Sequence, residues 1–238
     1  MRDFIINYSP IMIWCILAIE AVFAVLLAIK YIKDRRSMTL CMLLVDIGLF
    51  LDALLIVLGA VVPEGIPVSI SRIRFIAHGV LVPLLLPISA YGMKFNRKIV
   101  KVVWIVTGVI CALGFAQGMA IDLEIQQVGN LLRHVSAETS PAWAEIVSKI
   151  LSFGTVIPLM LAGIGAWINQ ETPHLFLSGL LMFAFSALGP ATGNTDLIFF
   201  ISMIGEVLMV AFFYIYALGY KDEVEGVDLD DDGEFDID

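Results

Sequence analysis

Apolar residues run along the chain in seven long stretches that are separated by short polar segments. The stretches cover residues 10–29, 38–62, 71–93, 99–120, 142–168, 174–189 and 197–220. A helix needs about 20 mostly apolar residues to cross the hydrocarbon core of a bilayer. The pattern therefore predicts a bundle of seven transmembrane helices, the sixth of which is short and ends at Gly189-Pro190.

The longest polar connection lies between the fourth and fifth stretches. Its apolar residues recur in steps of four and three, which is the spacing of one helical face: Ile121, Ile125, Val128, Leu132 and Val135. This spacing predicts a short interfacial helix at about 121–136, on the outer side of the membrane. Such a helix would lie on the surface or form a lid over an outer cavity.

The composition supports a membrane protein of the all-α class. Hydrophobic residues make up 60% of the chain and charged residues 16%, with a mean hydropathy of +0.94. A soluble domain has about 45–50% apolar and about 25% charged residues. The composition excludes a disordered chain, a disulfide scaffold and a nucleic-acid-binding protein.

The charges predict the orientation of the bundle. Ten of the 23 acidic residues lie in 222–238, which holds no base and is expected to be a disordered cytoplasmic tail. Nine Lys and Arg lie in the first loop, the third loop and the start of the tail, against five on the opposite side. Cytoplasmic loops carry the excess of positive charge, so the N-terminus is predicted to lie outside. Residues 1–221 would form the transmembrane domain of a multi-pass protein in a plasma or inner membrane.

Five ionisable residues interrupt the apolar stretches: Glu20, Asp46, Asp52, His78 and Glu206. Such residues face the bundle interior by default and mark function. They could form a proton or cation path, since unpaired acids in a low dielectric exchange protons near neutral pH. They could also hold one metal ion through oxygen ligands. The alternative is structural, with each acid protonated or bonded to a neighbouring helix.

Two arginines lie at the outer end of the third stretch. Arg74 and His78 are four residues apart and share a helix face, and Arg72 lies close by. The arginines could line an outer anion-binding vestibule. They could also be ordinary snorkelling side chains that pair with Glu64 or with lipid phosphate.

Two further patterns have both a structural and a functional interpretation. Gly114-x-x-x-Gly118 is a close-packing motif, which could form the seam of a homo-oligomer or pack within the bundle. The tail carries Asp228, Asp230 and Asp232 at the spacing of a calcium loop, but without the glutamate that completes such a loop. A solvated acidic tail accounts for the same residues.

Soluble-type catalytic and cofactor signatures are missing from the sequence. It holds no HExxH, G-x-S-x-G, phosphate-binding loop or dinucleotide fingerprint. We therefore expect no cofactor, and an enzyme is the least favoured class.

The third stretch resembles that of the microbial rhodopsins. Arg74-Phe75 followed by Pro83-Leu84-Leu85-Leu86 is similar to a run in that family, and seven spans with the N-terminus outside match its plan. The resemblance implies a rhodopsin-like seven-helix fold. However, Ala77 and Met203 stand where the family has acids, and Val207 stands where it has the retinal-binding lysine. A retinal Schiff base is therefore not expected.

Three functional hypotheses follow from these patterns. The first is a protein that binds or translocates a cation, either a proton or a metal ion, through the five buried ionisable residues. The second is a retinal-free receptor or sensor for an apolar or lipid-like ligand. The third is a lipid-modifying enzyme with Asp52 and His78 as acid and base.

Overall fold

The computed structural model describes residues 2–62, 64–128, 131–191 and 195–220, and most of this chain is helical. Its helices, in chain order, are α1 (Arg2–Asp34), α2 (Ser37–Val61), α3 (Val68–Leu81), α4 (Leu85–Gly92), α5 (Arg97–Ala120), α6 (Ala142–Gln170), α7 (His174–Ala191) and α8 (Thr195–Gly219). Within these described residues, six helical segments are long and apolar enough to cross a membrane, with α3 and α4 counted as one, and α7 contains a shorter apolar helix. The protein is thus a multi-pass integral membrane protein of the all-α class.

Helices α3 and α4 form one span that is interrupted at a proline. Val82–Leu84 is a short 3₁₀ helix with Pro83 in its first turn. Proline has no backbone N–H and therefore breaks the regular helical hydrogen bonds. The interruption lies next to His78, on the same span.

Residues 121–136 contain a β-hairpin, so the predicted interfacial helix is wrong. Strand β1 (Leu123–Val128) pairs antiparallel with β2 (Leu131–Ser136), and Val128 lies opposite Leu131. The sequence has Gly129-Asn130 between the two strands, a dipeptide typical of two-residue hairpin turns. The hairpin packs on α2, where a Cβ at Gly59 would overlap the backbone carbonyl oxygen of Leu132.

Neighbouring helices pack side by side and close into a ring. With α3 and α4 taken together, each helix contacts the next one along the chain, and α1 also packs on α8. Large apolar side chains point away from the bundle, such as Ile105 and Ile168, which are 69% and 75% exposed. These side chains provide the surface that contacts lipid.

The glycine motif of α5 packs within the chain. Gly114 lies against the backbone of Gly79 in α3, and a Cβ at Gly118 would come within 2.8 Å of the backbone nitrogen of Ile76. Both glycines are buried. Of the two predicted uses of this motif, the structure has internal packing, so these glycines offer no surface to a second copy.

Two apolar clusters fill the bundle, one toward each end. The first involves the hairpin and includes Ile13, Ile56, Leu131 and Phe200. We call this end of the molecule the hairpin face. The second cluster includes Leu27, Met42, Ile88 and Phe213, and it lies toward the end where α1 stops and α2 and α5 begin. We call that end the basic face, since its segments carry Lys30, Lys33, Arg35, Arg36, Lys94, Arg97 and Lys98.

Candidate functional site: a polar centre in the bundle

Arg74 forms an ion pair with Asp52 across the α2–α3 interface. Its Nε donates to Asp52 Oδ1, and both side chains are largely buried, with 18% and 13% exposure. Its Nη1 donates to the carbonyl oxygen of His134 in β2 at 3.3 Å. Arg74 thus pairs with an acid of the neighbouring helix, a partner that neither predicted arrangement of this arginine named.

Three of the five predicted ionisable residues meet in one cavity. Asp52, His78 and Glu206 line a volume of about 210 Å³ together with Arg74. Arg74 and His78 lie one turn apart on α3, as their spacing predicts. Phe75, Gln117, Ser148 and Leu151 complete the lining. Since a water molecule takes about 30 Å³, the cavity has room for several.

Two more cavities share residues with this one. A volume of about 290 Å³ lies toward the hairpin face, where Glu138, Glu145 and Lys149 line it. A volume of about 270 Å³ lies inside the bundle and is mostly apolar, apart from residues such as His78 and Glu206. Ser148 lines all three cavities. The polar centre is therefore flanked by open space toward the hairpin face.

Glu206 is the most buried of the four ionisable residues that line the central cavity, with 7% exposure. It forms a side-chain hydrogen bond with Ser202, one turn earlier on α8, and interacts electrostatically with Asp52 and Arg74. Its Oε2 is buried and has no hydrogen-bond partner in the described part of the chain. This oxygen is free to hold a proton or to accept a bond from water.

Glu20 and Asp46 lie deeper in the bundle and are completely buried. Among the described residues, no group hydrogen-bonds to any of their four carboxylate oxygens. Glu20 is close enough to Asp46, Asp52 and Glu206 to interact with them electrostatically. Burying an unpaired carboxylate is so unfavourable that such groups neutralise instead. The two acids are thus suited to carrying protons, and they do not bridge helices as hydrogen-bonded glue.

The predicted metal site has no ligand set in the described ranges. Within 2–62, 64–128, 131–191 and 195–220, no three His, Cys, Asp or Glu side chains lie close enough to hold a metal ion. Asp228, Asp230 and Asp232 of the tail lie outside these residues.

Arg72 forms hydrogen bonds at the end of a neighbouring helix, while its place in an outer vestibule stays a prediction. Its Nη1 donates to the carbonyl oxygens of Gly118, Met119 and Ile121, at 3.2, 2.6 and 2.9 Å. These carbonyls belong to the C-terminal end of α5, where a cation is favoured by the helix dipole. Arg72 therefore ties α3 to the end of α5.

The hairpin contributes a histidine that the sequence analysis missed. His134 is buried, and its Nδ1 lies 2.7 Å from Ser71 Oγ in α3. Burial and the neighbouring Arg74 guanidinium lower the pKa of His134 below its ordinary value. Its carbonyl group also accepts from Arg74. The hairpin thereby positions the arginine of the polar centre.

The bundle on the basic-face side of the centre is apolar. Leu27, Met42, Leu85, Ile88 and Phe213 are all less than 2% exposed there. Beyond them, Tyr216 donates to Gln170 at 3.0 Å, and Gln170 donates to the carbonyl oxygen of Gly92 at 2.6 Å. An apolar barrier thus separates the polar centre from the basic face.

No protein-family model matches the chain, and no curated protein matches it. Val207, which stands where the microbial rhodopsins have the retinal-binding lysine, packs against the apolar cluster at the hairpin face and follows Glu206 in the chain. The described site consists of two acids, an arginine and a histidine around a cavity, with two further acids buried deeper.

Proposed function

We propose that this protein binds and translocates protons through its buried polar centre. The observation that carries the proposal is the convergence of Asp52, Arg74, His78 and Glu206 on one cavity. Acids and a histidine around a cavity that can hold water are the typical parts of a membrane proton relay. The arginine neutralises Asp52, so the mobile proton is assigned to Glu206 and to the unpaired acids beyond it.

The proposed route starts at the hairpin face. Protons enter through the cavity lined by Glu138 and Glu145 and reach Glu206 past Ser148. They then pass to Glu20 and Asp46, which interact electrostatically with each other. The apolar barrier around Met42 and Phe213 blocks the rest of the path, from these two acids to the basic face. Release at the basic face would therefore require a second conformation in which this barrier opens.

A proton fits the described site better than a metal ion. The described residues offer no group of three metal ligands, whereas the unpartnered carboxylate oxygens of Glu20, Asp46 and Glu206 can each accept a proton. A proton needs a single acceptor, while a hard cation needs about six oxygens.

The topology that we propose has seven spans. Helix α7 would be the sixth span, and the hairpin face would lie outside, because the basic face carries the excess of Lys and Arg. The membrane would be a plasma or inner membrane. A membrane-impermeant maleimide should then label Glu64→Cys from outside in a variant without the native cysteines. Labelling from the cytoplasmic side alone would reverse the orientation.

Infrared difference spectroscopy tests whether Glu206 exchanges protons. Protonated carboxylic acids have a carbonyl stretch that carboxylates lack, so a pH titration should show this band in the wild-type protein. Glu206→Gln should remove part of the band, and Glu64→Gln should leave it unchanged because Glu64 is exposed. An identical band in wild type and Glu206→Gln would contradict the role of Glu206.

A second candidate is a receptor or sensor for an apolar ligand. The observation that favours it is the 270 Å³ cavity, where Val82, Val156 and Met182 surround the polar ends provided by His78 and Glu206. Small ligand sites are largely apolar with a few polar groups. In this case decanol or decylamine should raise the unfolding temperature, and Ser152→Phe, at the cavity wall, should abolish the shift. The enzyme hypothesis gains no such support, because Asp52 is paired with Arg74.

A further inference from the structure

An apolar groove opens on the lipid-facing surface, between α4, α5 and α6. Ala90, Phe95, Val102, Val106, Pro158 and Leu161 line most of it, and its volume is about 390 Å³. The lining is almost entirely apolar, with Ser89 as a polar exception. This groove is separate from the polar centre, since the two share no lining residue. Its shape and chemistry suit a hydrocarbon chain.

Basic residues lie at the end of the groove that is next to the basic face. Phe95 lines the groove, and the nearby Lys94, Arg97, Lys98 and Lys101 are exposed. Lys98, Val102 and Val106 follow one another at intervals of four residues, so they share one face of α5. With about 1.5 Å of rise per residue, Lys98 lies about 6 Å beyond Val102 along the helix axis. A positive charge therefore lies in line with the groove.

The local electrostatics also favour an anion at this end. The first turn of α5 contains Arg97 and Lys98 and no acidic residue. A helix N-terminus carries partial positive charge, so cations in the first turn are unfavourable for the isolated helix. An anionic group beside Lys98 would offset both sources of positive charge. The apolar groove and the positive charge at its end together favour a ligand with an apolar chain and an anionic headgroup.

We propose that this groove is a binding site for an anionic phospholipid. One acyl chain lies along Val102 and Val106 toward Leu161, and the phosphate-bearing headgroup interacts with Lys98 and its basic neighbours. Basic pockets between helices on the cytoplasmic side of a membrane commonly bind such headgroups. A free phosphate would use the charges but not the apolar groove, so the lipid is the occupant that accounts for both.

Native mass spectrometry of the purified full-length chain tests the proposal. Palmitoyl-oleoyl phosphatidylglycerol and the phosphatidylcholine with the same acyl chains are the probes. Wild type should bind the anionic lipid at least about five-fold more tightly, because one basic residue near the headgroup is worth about that factor. Lys98→Gln should remove most of this preference. Val106→Phe, which fills the groove, should weaken the binding of both lipids.

Two matched variants serve as controls. Ile105→Phe adds the same ring to the neighbouring lipid-facing position of α5, outside the groove, and Lys33→Gln removes an exposed charge from another segment of the basic face. Both should bind lipid like wild type. The proposal is overturned if wild type shows no preference for phosphatidylglycerol, or if Lys33→Gln has the same effect as Lys98→Gln. Dimers that Val106→Phe abolishes, in place of lipid adducts, would assign the groove to a second copy and also overturn it.

Discussion

At the scale of single residues, the ion pair between Asp52 and Arg74 determines the charge of the polar centre. Removing one partner of a largely buried pair leaves an uncompensated charge, which typically costs about 3–5 kcal/mol. Arg74→Gln should therefore destabilise the protein strongly, since Asp52 would remain in the bundle without its partner. The measurement is chemical unfolding in detergent micelles.

The double variant Asp52→Asn/Arg74→Gln separates charge from packing. It removes both charges together, so it should be clearly more stable than Arg74→Gln alone. If the double variant is no more stable than Arg74→Gln, the uncompensated charge of Asp52 does not account for the lower stability of the single variant.

His134 makes stability depend on pH. The pKa of this histidine is lowered in the folded protein, chiefly by burial, while an unfolded histidine titrates near about 6.5. The unfolded state therefore binds more protons as the pH falls below that value. Its contribution to stability is present above pH 6.5 and is lost at lower pH. His134→Asn should reduce the loss of stability between about pH 7.5 and about pH 5, measured by thermal unfolding.

His174→Asn provides the control for this experiment, because His174 belongs to α7 and lies away from the hairpin contact with Ser71. It should keep the pH dependence of the wild type. An unchanged pH dependence in His134→Asn would show that other groups cause it.

The inward position of the five ionisable residues could be predicted, while their pairing could not. A charged or acidic residue in a long apolar stretch turns inward because lipid does not solvate it. Which partner it meets depends on the rotation of each helix, and one sequence does not contain that information. The ion pair of Arg74 with Asp52 was missed for this reason, although both residues had been singled out.

At the scale of the elements, α3 and α5 approach closely because of their glycines. A Cβ at Gly114 would overlap the backbone of Gly79, whereas a Cβ at Gly108, on the same helix, would meet no atom within 4 Å. Gly114→Ala should therefore destabilise the protein by roughly 1–3 kcal/mol through overpacking. Gly108→Ala should be neutral or stabilise by up to about 1 kcal/mol, since alanine favours helix. Unfolding in micelles compares the two.

Equal stability of these two variants would contradict the close approach of the two helices.

The β-hairpin is the secondary-structure element that the apolar pattern predicted wrongly. Its apolar residues fit a helical period over 121–136, yet the chain forms two strands. The dipeptide Gly129-Asn130 is the more informative part of the sequence, because a dipeptide typical of hairpin turns indicates strand pairing more directly than a short apolar period does.

At the scale of the whole molecule, the apolar stretches alone predicted a helical membrane bundle. Six long apolar helices confirm the multi-pass class, and their bounds lie close to the predicted stretches. This success has a simple cause, since backbone groups in lipid must pair within their own segment. The polar centre follows no such local rule, because it is formed by residues of α2, α3 and α8 that are far apart in sequence.

Proton flux into liposomes shows whether the protein translocates protons through Glu206. The purified protein is reconstituted with a pH-sensitive dye inside, and a potassium gradient with valinomycin sets the membrane potential. We predict a pH change that follows the sign of the potential, is lost in Glu206→Gln and persists in Glu64→Gln. An absence of flux in wild type under every gradient, or equal flux in Glu206→Gln, would contradict the proton path.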